Sequence, residues 1–433
     1  MQKTWHIIAD ANSFYASVEK VFRPELRDKP VVVLSNNDGI IVALSPEAKA
    51  IGLKRGDAYH LIKDLAQKHD TQFFSSNFIL YYDFSRRIEQ IIRRNFEHVE
   101  KYSIDEMFIT YYSSLNVNDL RKILSKVRQE ILDETKIKVS FGAAPTKTLA
   151  KVMNQYSKKD NRYNGVSILH DMSKLKTALE KFFVGDVWGI GRQSTKKLET
   201  YNIRTAWEFS QRNDAWIRKN FNITGLRTAK ELRGIPVVQI GDITESKQSI
   251  LCSRSFPKAI ENVDDIRAAL ADFVEEVGEK LRKQQSVCRN VSVFVVTAAP
   301  KHRIHGDSFW TQVELPYFAN DTITLTRSAM IGLQLLLKQG IKYKKAGVTV
   351  TNLIPETNLQ FNLWQDTSKI LKFRTLYKKI DFVNTSVGYV RLGVQNPDNA
   401  AHAFRQNLKS PNYTTDIRQV PKIDMDKPLK ASD

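Results

Sequence analysis

The apolar positions of this chain switch repeatedly between a period of two and a period near 3.6. Residues 5–9 (Trp-His-Ile-Ile-Ala) make a short apolar run that stops at Asp10, which reads as a strand. A helical segment follows near 13–21. Residues 31–34 and 40–44 read as two strands, and Asn37-Asp38-Gly39 between them is a hairpin turn. Small helical patches follow near 47–50 and 58–67. Ile79, Tyr82, Ile88, Ile91, Ile92 and Phe96 then recur at roughly helical spacing. Strands near 98–103 and 107–112 come next. Leu120, Ile123, Leu124, Val127 and Ile131 place one apolar face on a helix at 117–134. A strand at 138–143 and a helix at 146–157 complete this stretch.

With 13–75 set aside, the elements up to residue 157 run β-α-β-β-α-β, the split βαβ or ferredoxin-like plan. The set-aside segment is an insertion just after the first strand. Another unit starts near Lys176, with Val187-Trp188-Gly189-Ile190-Gly191 leading into a helix-like run to Tyr201. Beyond Gly234-Ile235-Pro236 lies a polar linker, 239–247. A second β-α-β-β-α-β succession follows. Its strands are near 248–256, 288–297, 308–315 and 346–353, and its helices near 262–284 and 321–337. From 356 onward the chain is polar and less periodic, a tail with some helix. The expected fold class is α+β.

Length and charge narrow the picture. A chain of 433 residues suggests about three domains. Lysine and arginine number 66 against 47 acids, a net charge of +19, which favours a polyanionic partner. Nucleic acid is the first candidate and an anionic membrane surface the second. No stretch approaches the roughly 20 apolar residues that span a bilayer; nucleic acid, and no membrane, is the expected partner. The apolar run before Asp10 is too short for a signal-peptide core. Cys252 and Cys288 have neither metal-type spacing nor a disulfide framework, which points to a reducing, cytoplasmic compartment.

The chemistry gathers on three acids. Asp10 ends the first strand, and Asp105 and Glu106 sit at the turn that opens the third. In a β-α-β-β-α-β sheet the first crossover leaves strands one and two parallel, and strand three fits between them, antiparallel to strand one. The end of strand one then meets the start of strand three. Asp10 is thus expected beside Asp105 and Glu106 across about 95 residues of sequence. Neighbouring residues of a regular strand face opposite ways, so a kink at Asp105 is required. Clustered carboxylates raise one another's pKa. A divalent cation relieves this, and hard oxygen ligands suit Mg²⁺. Two such ions can clamp the attacking and leaving oxygens of a phosphoryl transfer. Taken singly, each acid reads more readily as an ordinary surface carboxylate at a strand end; their convergence by topology in a basic chain brings the two readings level.

At these residues the sequence resembles a known family. Asp10-Ala11-Asn12-Ser13-Phe14-Tyr15-Ala16-Ser17 and Tyr102-Ser103-Ile104-Asp105-Glu106 look like the two catalytic signatures of the Y-family, or translesion, DNA polymerases. Val32-Val33-Leu34-Ser35-Asn36-Asn37-Asp38-Gly39, Phe74-Ser75-Ser76-Asn77 and Ser410-Pro411-Asn412-Tyr413-Thr414-Thr415 are similar to the UmuC branch, which holds the catalytic subunit of bacterial DNA polymerase V. The resemblance covers nearly the whole chain. It implies a right-hand polymerase with a ferredoxin-like palm (1–12 and 76–175), small inserted fingers (13–75) and a helical thumb with a helix-hairpin-helix (176–238). A linker (239–247), a little finger (248–355) and a tail (356–433) follow.

The resemblance also assigns roles. Asp10, Asp105, Glu106 and the Ala11 carbonyl become ligands of two Mg²⁺ ions. Tyr15 becomes the steric gate against a 2′-hydroxyl, the group that marks a ribonucleotide, with Phe14 packed beside it. By spacing alone Tyr15 reads as a core aromatic one turn from Val18. Lys49 and Lys158 fall at dNTP-binding positions. Pro46 stands where the family usually has tyrosine, and Lys49 where it often has arginine, so a point charge replaces a bidentate grip. Gly189 and Gly191 resemble a hairpin whose backbone N–H groups meet a DNA phosphate. A helix cap would place glycine there too. Lys247, Arg254, Arg289 and Lys342 to Lys345 are candidate DNA-backbone contacts. Gln360-Phe361-Asn362-Leu363-Trp364 resembles a sliding-clamp peptide, with Trp364 in place of the usual phenylalanine.

Implied partners are primer-template DNA, dNTP, the sliding clamp, a UmuD-type accessory dimer and a recombinase filament. The implied activity is error-prone translesion synthesis in the SOS response. Two rivals are a catalytically dead DNA-binding scaffold and another two-metal palm enzyme such as a nucleotide cyclase. The complete carboxylate set opposes the first, and the hairpin-bearing unit with its second basic domain opposes the second.

Overall fold

The computed structural model describes residues 3–113, 116–238, 246–300, 306–360, 367–386, 390 and 406–420. The chain forms two compact units. One is Met1–Ile243 with Gln406–Asp433, and the other is Thr244–Arg405.

The first unit begins with strand β1 (Lys3–Ala11). Its alternation sends Trp5, Ile7 and Ala9 into one core and Ile8 into another on the opposite face. The insertion then folds as its own small sheet of β2 (Val31–Leu34), β3 (Ile41–Leu44) and β4 (Gln72–Ser75), in the order β3-β2-β4. The chain returns through β5 (His98–Lys101), β6 (Glu106–Ser113), β7 (Val139–Ala144) and β8 (Val166–Ile168). The central sheet has the order β5-β6-β1-β7-β8. Strand β6 lies between β1 and β5 and is antiparallel to both, as the crossover argument requires. Strands β4 and β8 were not expected from the sequence. Both pair in parallel with an existing strand, β4 with β2 and β8 with β7.

Helices Phe78–Asn95 and Val117–Thr135 cover one face of the central sheet through Leu80, Ile88, Leu124 and Ile131. Helix Lys147–Lys159 covers the other face with Leu149, Val152 and Met153. That helix lies very close to β7, because a Cβ on Gly142 would fall 2.2 Å from the Ala150 carbonyl oxygen and the Asn154 nitrogen. Helices Arg192–Thr200, Ala206–Ser210 and Asp214–Leu232 extend the same core through Leu198, Phe209 and Phe221. Residues 406–420 also pack on this unit. Ser75 and Leu408 exchange two hydrogen bonds of 3.0 Å, and Tyr413 stacks on Phe22 at 4.3 Å.

The second unit holds β9 (Ile250–Ile260), β10 (Ser286–Thr297), β11 (Ser308–Ala319) and β12 (Tyr343–Pro355), in the order β11-β10-β12-β9. Helices Val263–Lys283 and Thr322–Leu336 bury Phe273, Val277, Leu325 and Leu333 against it. Its succession of elements repeats that of the central sheet, but its spatial order differs. Here the last strand, not the third, lies between the first two. A further helix, Thr367–Ser386, is tied on by Arg282, which donates to both Asp381 oxygens at 2.6 and 2.7 Å.

Candidate active site

The β1–β6 register sets Asp10 directly opposite Glu106. Beyond that pair the Ala11 N–H donates to the Asp105 carbonyl at 2.9 Å. Asp105 itself lies in a bend just before β6. Ser103 makes that bend: its Oγ accepts the Asp105 and Glu106 N–H groups at 3.3 and 3.0 Å and donates to Asp105 Oδ1 at 2.5 Å. The kink that strand alternation demands is therefore supplied by a serine two residues before the aspartate. Ala11 is the last residue of β1.

Helix Lys147–Lys159 supplies two cations. Lys158 Nζ lies 2.5 Å from Asp10 Oδ2, and Lys151 Nζ lies 3.0 and 3.1 Å from the two Glu106 oxygens. The two lysines are seven residues, two turns, apart and so share a face. Lys151 also rests on the rings of Tyr102, Phe108 and Trp188. Burial pushes the Asp10 carboxyl up to about 6; Lys158 opposes the rise, while Glu106 and Asp105 add to it. Among the described residues, no three His, Cys, Asp or Glu side chains stand ready-assembled around a metal position. Asp10 and Glu106 are paired with lysines instead, and Asp105 with Ser103. The donor set is all carboxylate oxygen, and burial, with smaller contributions from Glu106 and Asp105, already disfavours the charge on Asp10. That chemistry fits hard divalent cations such as Mg²⁺ at Asp10, Asp105 and Glu106.

A cleft of about 500 Å³ opens over these acids, and Ala11, Ser13, Phe14, Tyr15, Lys49, Arg55 and Lys158 also line it. Tyr15 stands on the helix Phe14–Val21 that starts immediately after β1. Ser13, with a left-handed φ of 48°, makes the sharp turn between them. Phe14 is buried, and its ring lies 5.8 Å from that of Tyr15, the neighbour relation expected from sequence. Burial and the nearby Asp105 charge push the Tyr15 hydroxyl above its ordinary pKa. Lys49 reaches in from the inserted segment and donates to Ser13 Oγ at 3.2 Å. Lys158, expected at the triphosphate, here sits on Asp10.

Sequence reasoning missed Lys151 and Arg55. The i, i+7 spacing from Lys158 could have flagged Lys151. Arg55 lies in a loop and carries no periodic signal.

The remaining candidates are spread over both units. Gly189 has φ +91°, which favours glycine, and its open flank meets only Thr228. Gly191, at the N-cap of helix Arg192–Thr200, has an ordinary φ of −87° and open space where a Cβ would stand. In the second unit Arg254 pairs with Glu276 at 3.2 Å and Arg289 with Glu314 at 3.0 Å. Lys344 donates to the carbonyls of Phe256 and Pro257. Lys342 lies 3.9 Å from Glu261, and the Lys247 side chain is exposed. Gln360 is exposed, whereas Phe361, Asn362, Leu363 and Trp364 lie outside the described residues. No described helix is long and apolar enough to cross a membrane.

Comparison with known proteins agrees with this architecture. The model of the impB/mucB/samB family matches residues 9–155, and that of the family's C-terminal domain matches 247–363. Protein UmuC of Salmonella typhimurium is 35% identical over 94% of this chain and 97% of its own length. Protein ImpB of Salmonella typhimurium is 34% identical over 96% and 98%. DNA polymerase IV of Acetivibrio thermocellus is 26% identical over 89% and 96%. Among solved structures, a Y-family DNA polymerase chimera of Dbh and Dpo4 superposes with a TM-score of 0.65 at 20% identity. It covers 81% of this chain and 99% of the chimera. The fold is that of the Y-family DNA polymerases. More narrowly, the chain belongs to the impB/mucB/samB family, the UmuC branch of that class.

Proposed function

We propose that this chain is an error-prone translesion polymerase of the SOS response, which extends a primer 3′ end opposite damaged template by two-metal phosphoryl transfer at Asp10, Asp105 and Glu106. The observation that supports it best is the convergence of those three acids beside Tyr15 in one cleft, through the Asp10–Glu106 register and the Ser103 bend. Two Mg²⁺ ions held by these acids and the Ala11 carbonyl would activate the primer oxygen and neutralise charge on the triphosphate. The chain's own residues do the rest. Lys49, Arg55 and Lys158 ring the cleft and attract the triphosphate of a dNTP. Lys151 and Lys158 balance the charge of Glu106 and Asp10. Tyr15 lies where it would underlie the incoming sugar, and template pairing selects the base.

In this reading residues 1–12 and 76–175 are the palm, 13–75 the fingers, 176–238 the thumb and 248–355 the little finger. An insertion of about sixty residues suits small fingers. Gly189, Gly191, Lys247, Arg289 and Lys342 to Lys345 hold the primer-template backbone, whereas Arg254, also expected there from sequence, is retained by Glu276. The segment from Gln360 to Trp364 docks on a sliding clamp. A UmuD-type dimer and a recombinase filament complete the cytoplasmic assembly.

The test is primer extension with Mg²⁺, in the presence of the accessory dimer and filament. The Asp105→Ala variant should lose at least about 10²-fold in rate, since charge neutralisation by bound metal is worth several kcal/mol. Normal extension by that variant would remove the mechanism.

A further inference from the structure

Tyr15 is held from behind by a chain of contacts that ends in the far C-terminal part of the protein. Its ring stacks on that of Tyr81 at 4.4 Å with the planes 14° apart, and Phe78 meets it edge-on at 5.8 Å. Tyr81 is fully buried on helix Phe78–Asn95, and its hydroxyl donates to Glu19 Oε1 at 2.5 Å. Glu19 is one turn beyond Tyr15 on the same helix and is 1% exposed. The same Oε1 accepts the Ser410 hydroxyl at 3.1 Å. Ser410 is fixed in turn by Asn77, whose Nδ2 donates to its carbonyl at 3.0 Å and to its Oγ at 3.1 Å. Asn77 also caps the helix that carries Tyr81. The loop is closed: the gate helix, its stacking partner and the tail serine meet at one buried carboxyl, and the helix cap holds the serine.

A buried carboxyl is costly unless its oxygens are hydrogen-bonded, and Glu19 Oε2 has no hydrogen-bond partner among the described residues. Phosphoryl transfer has no use for an acid at this depth. A phenylalanine at 81 would fill the same volume without needing one. The arrangement makes sense if its product is a fixed ring position. A steric gate excludes a 2′-hydroxyl only if the ring cannot tilt away. A stack on a ring whose hydroxyl is anchored resists tilting, and a stack on an unanchored ring yields.

We propose that Tyr81, Glu19 and Ser410 are positioning residues for sugar selection, which fix the Tyr15 ring beneath the incoming sugar so that the C-terminal segment sets how strictly ribonucleotides are excluded. The inference rests on the gate reading of Tyr15. A deoxyribose makes no demand on the ring's stiffness, so loosening it changes use of rNTP and not of dNTP.

The experiment measures kcat/KM for a dNTP and the matching rNTP in the full chain with its accessory proteins. It compares Tyr15→Ala, Tyr81→Phe, Ser410→Ala and Ser410→Thr, with thermal unfolding recorded for each. Tyr81→Phe and Ser410→Ala should raise rNTP use relative to dNTP use up to roughly tenfold, the equivalent of one hydrogen bond. Ser410→Thr keeps the hydroxyl and should keep the parent's selectivity. If Tyr15→Ala admits ribonucleotides while Tyr81→Phe and Ser410→Ala discriminate like the parent, the inference falls and the gate stands. An equal loss of dNTP and rNTP use in those two variants also overturns it, because the contacts would then be structural only. If Tyr15→Ala itself leaves selectivity unchanged, the gate reading fails and takes the inference with it.

Discussion

Glu19 has almost no water around it, and that has a consequence for stability. Burial pushes its carboxyl up to about 7 from an ordinary 4.5, against the opposing pull of Tyr81, Ser410 and Arg23. Between those two values the folded protein keeps a proton that the unfolded chain releases. The folded state then binds more protons, so stability falls as pH rises through this window and levels off above about 7. At 1.36 kcal/mol per unit the loss is about 3 kcal/mol. Glu19→Gln cannot titrate. In denaturant unfolding from pH 4.5 to 7.5, the parent should lose up to about 3 kcal/mol more than this variant; parallel curves would show that Glu19 does not titrate in the window. At this scale the sequence was legible where spacing or topology fixes a neighbour. The Asp10–Glu106 pair followed from strand order alone. Lys151 was available from its two-turn distance to Lys158. Ser410 was not, because nothing local marks a partner 391 residues away.

Elements with their own periodicity were readable, and those held by neighbours were not. Helices Phe78–Asn95 and Val117–Thr135 follow from an apolar stripe. Strands β4 and β8 are four and three residues long and make parallel pairs, so their stability comes from the strand beside them rather than from local pattern. The two glycines before helix Arg192–Thr200 divide by physics in a way their sequence does not reveal. Gly189→Ala places a side chain at φ +91° and its Cβ 2.8 Å from Thr228 Oγ1, and should cost about 1–2 kcal/mol of stability. Gly191→Ala meets no described atom within 4 Å at an ordinary φ, so its cost is limited to the poorer N-cap that alanine makes, about 0.5–1 kcal/mol. Folding therefore does not require glycine at 191. If its backbone approaches a DNA phosphate, Gly191→Ala should weaken primer-template binding in fluorescence anisotropy at a temperature where parent and variant are both fully folded. Undiminished binding would leave Gly191 as a helix cap and nothing more.

Across the molecule, the net charge of +19 was plain in the sequence, but which cations are free to use it was not. Binding that neutralises phosphates releases counterions, and each contact steepens the fall of log K with log salt by about 0.9. The two arginines of the second unit that the sequence offered as DNA contacts differ in what they must leave first. Arg289 lies over the Phe318 ring at 5.8 Å and has a single acidic partner among the described residues, Glu314, whose side chain is 66% exposed; an ion pair with so exposed a partner is worth about 0–1 kcal/mol. Breaking it for a phosphate costs little. Arg254 lies over the Phe273 ring and pairs with Glu276, an acid that also accepts from Lys280 and from the Cys252 thiol. Moving it would strip a partner from a half-buried carboxylate already held below its ordinary pKa by those contacts. The two should therefore part company in a salt titration of primer-template binding. Arg289→Ala should reduce the slope by about one contact's worth. Arg254→Ala should leave the slope unchanged and instead lower the melting temperature of the protein. If Arg254→Ala flattens the slope while Arg289→Ala does not, the exposed pair is the structural one, and the basic surface that meets DNA lies on the other side of the Glu276 network.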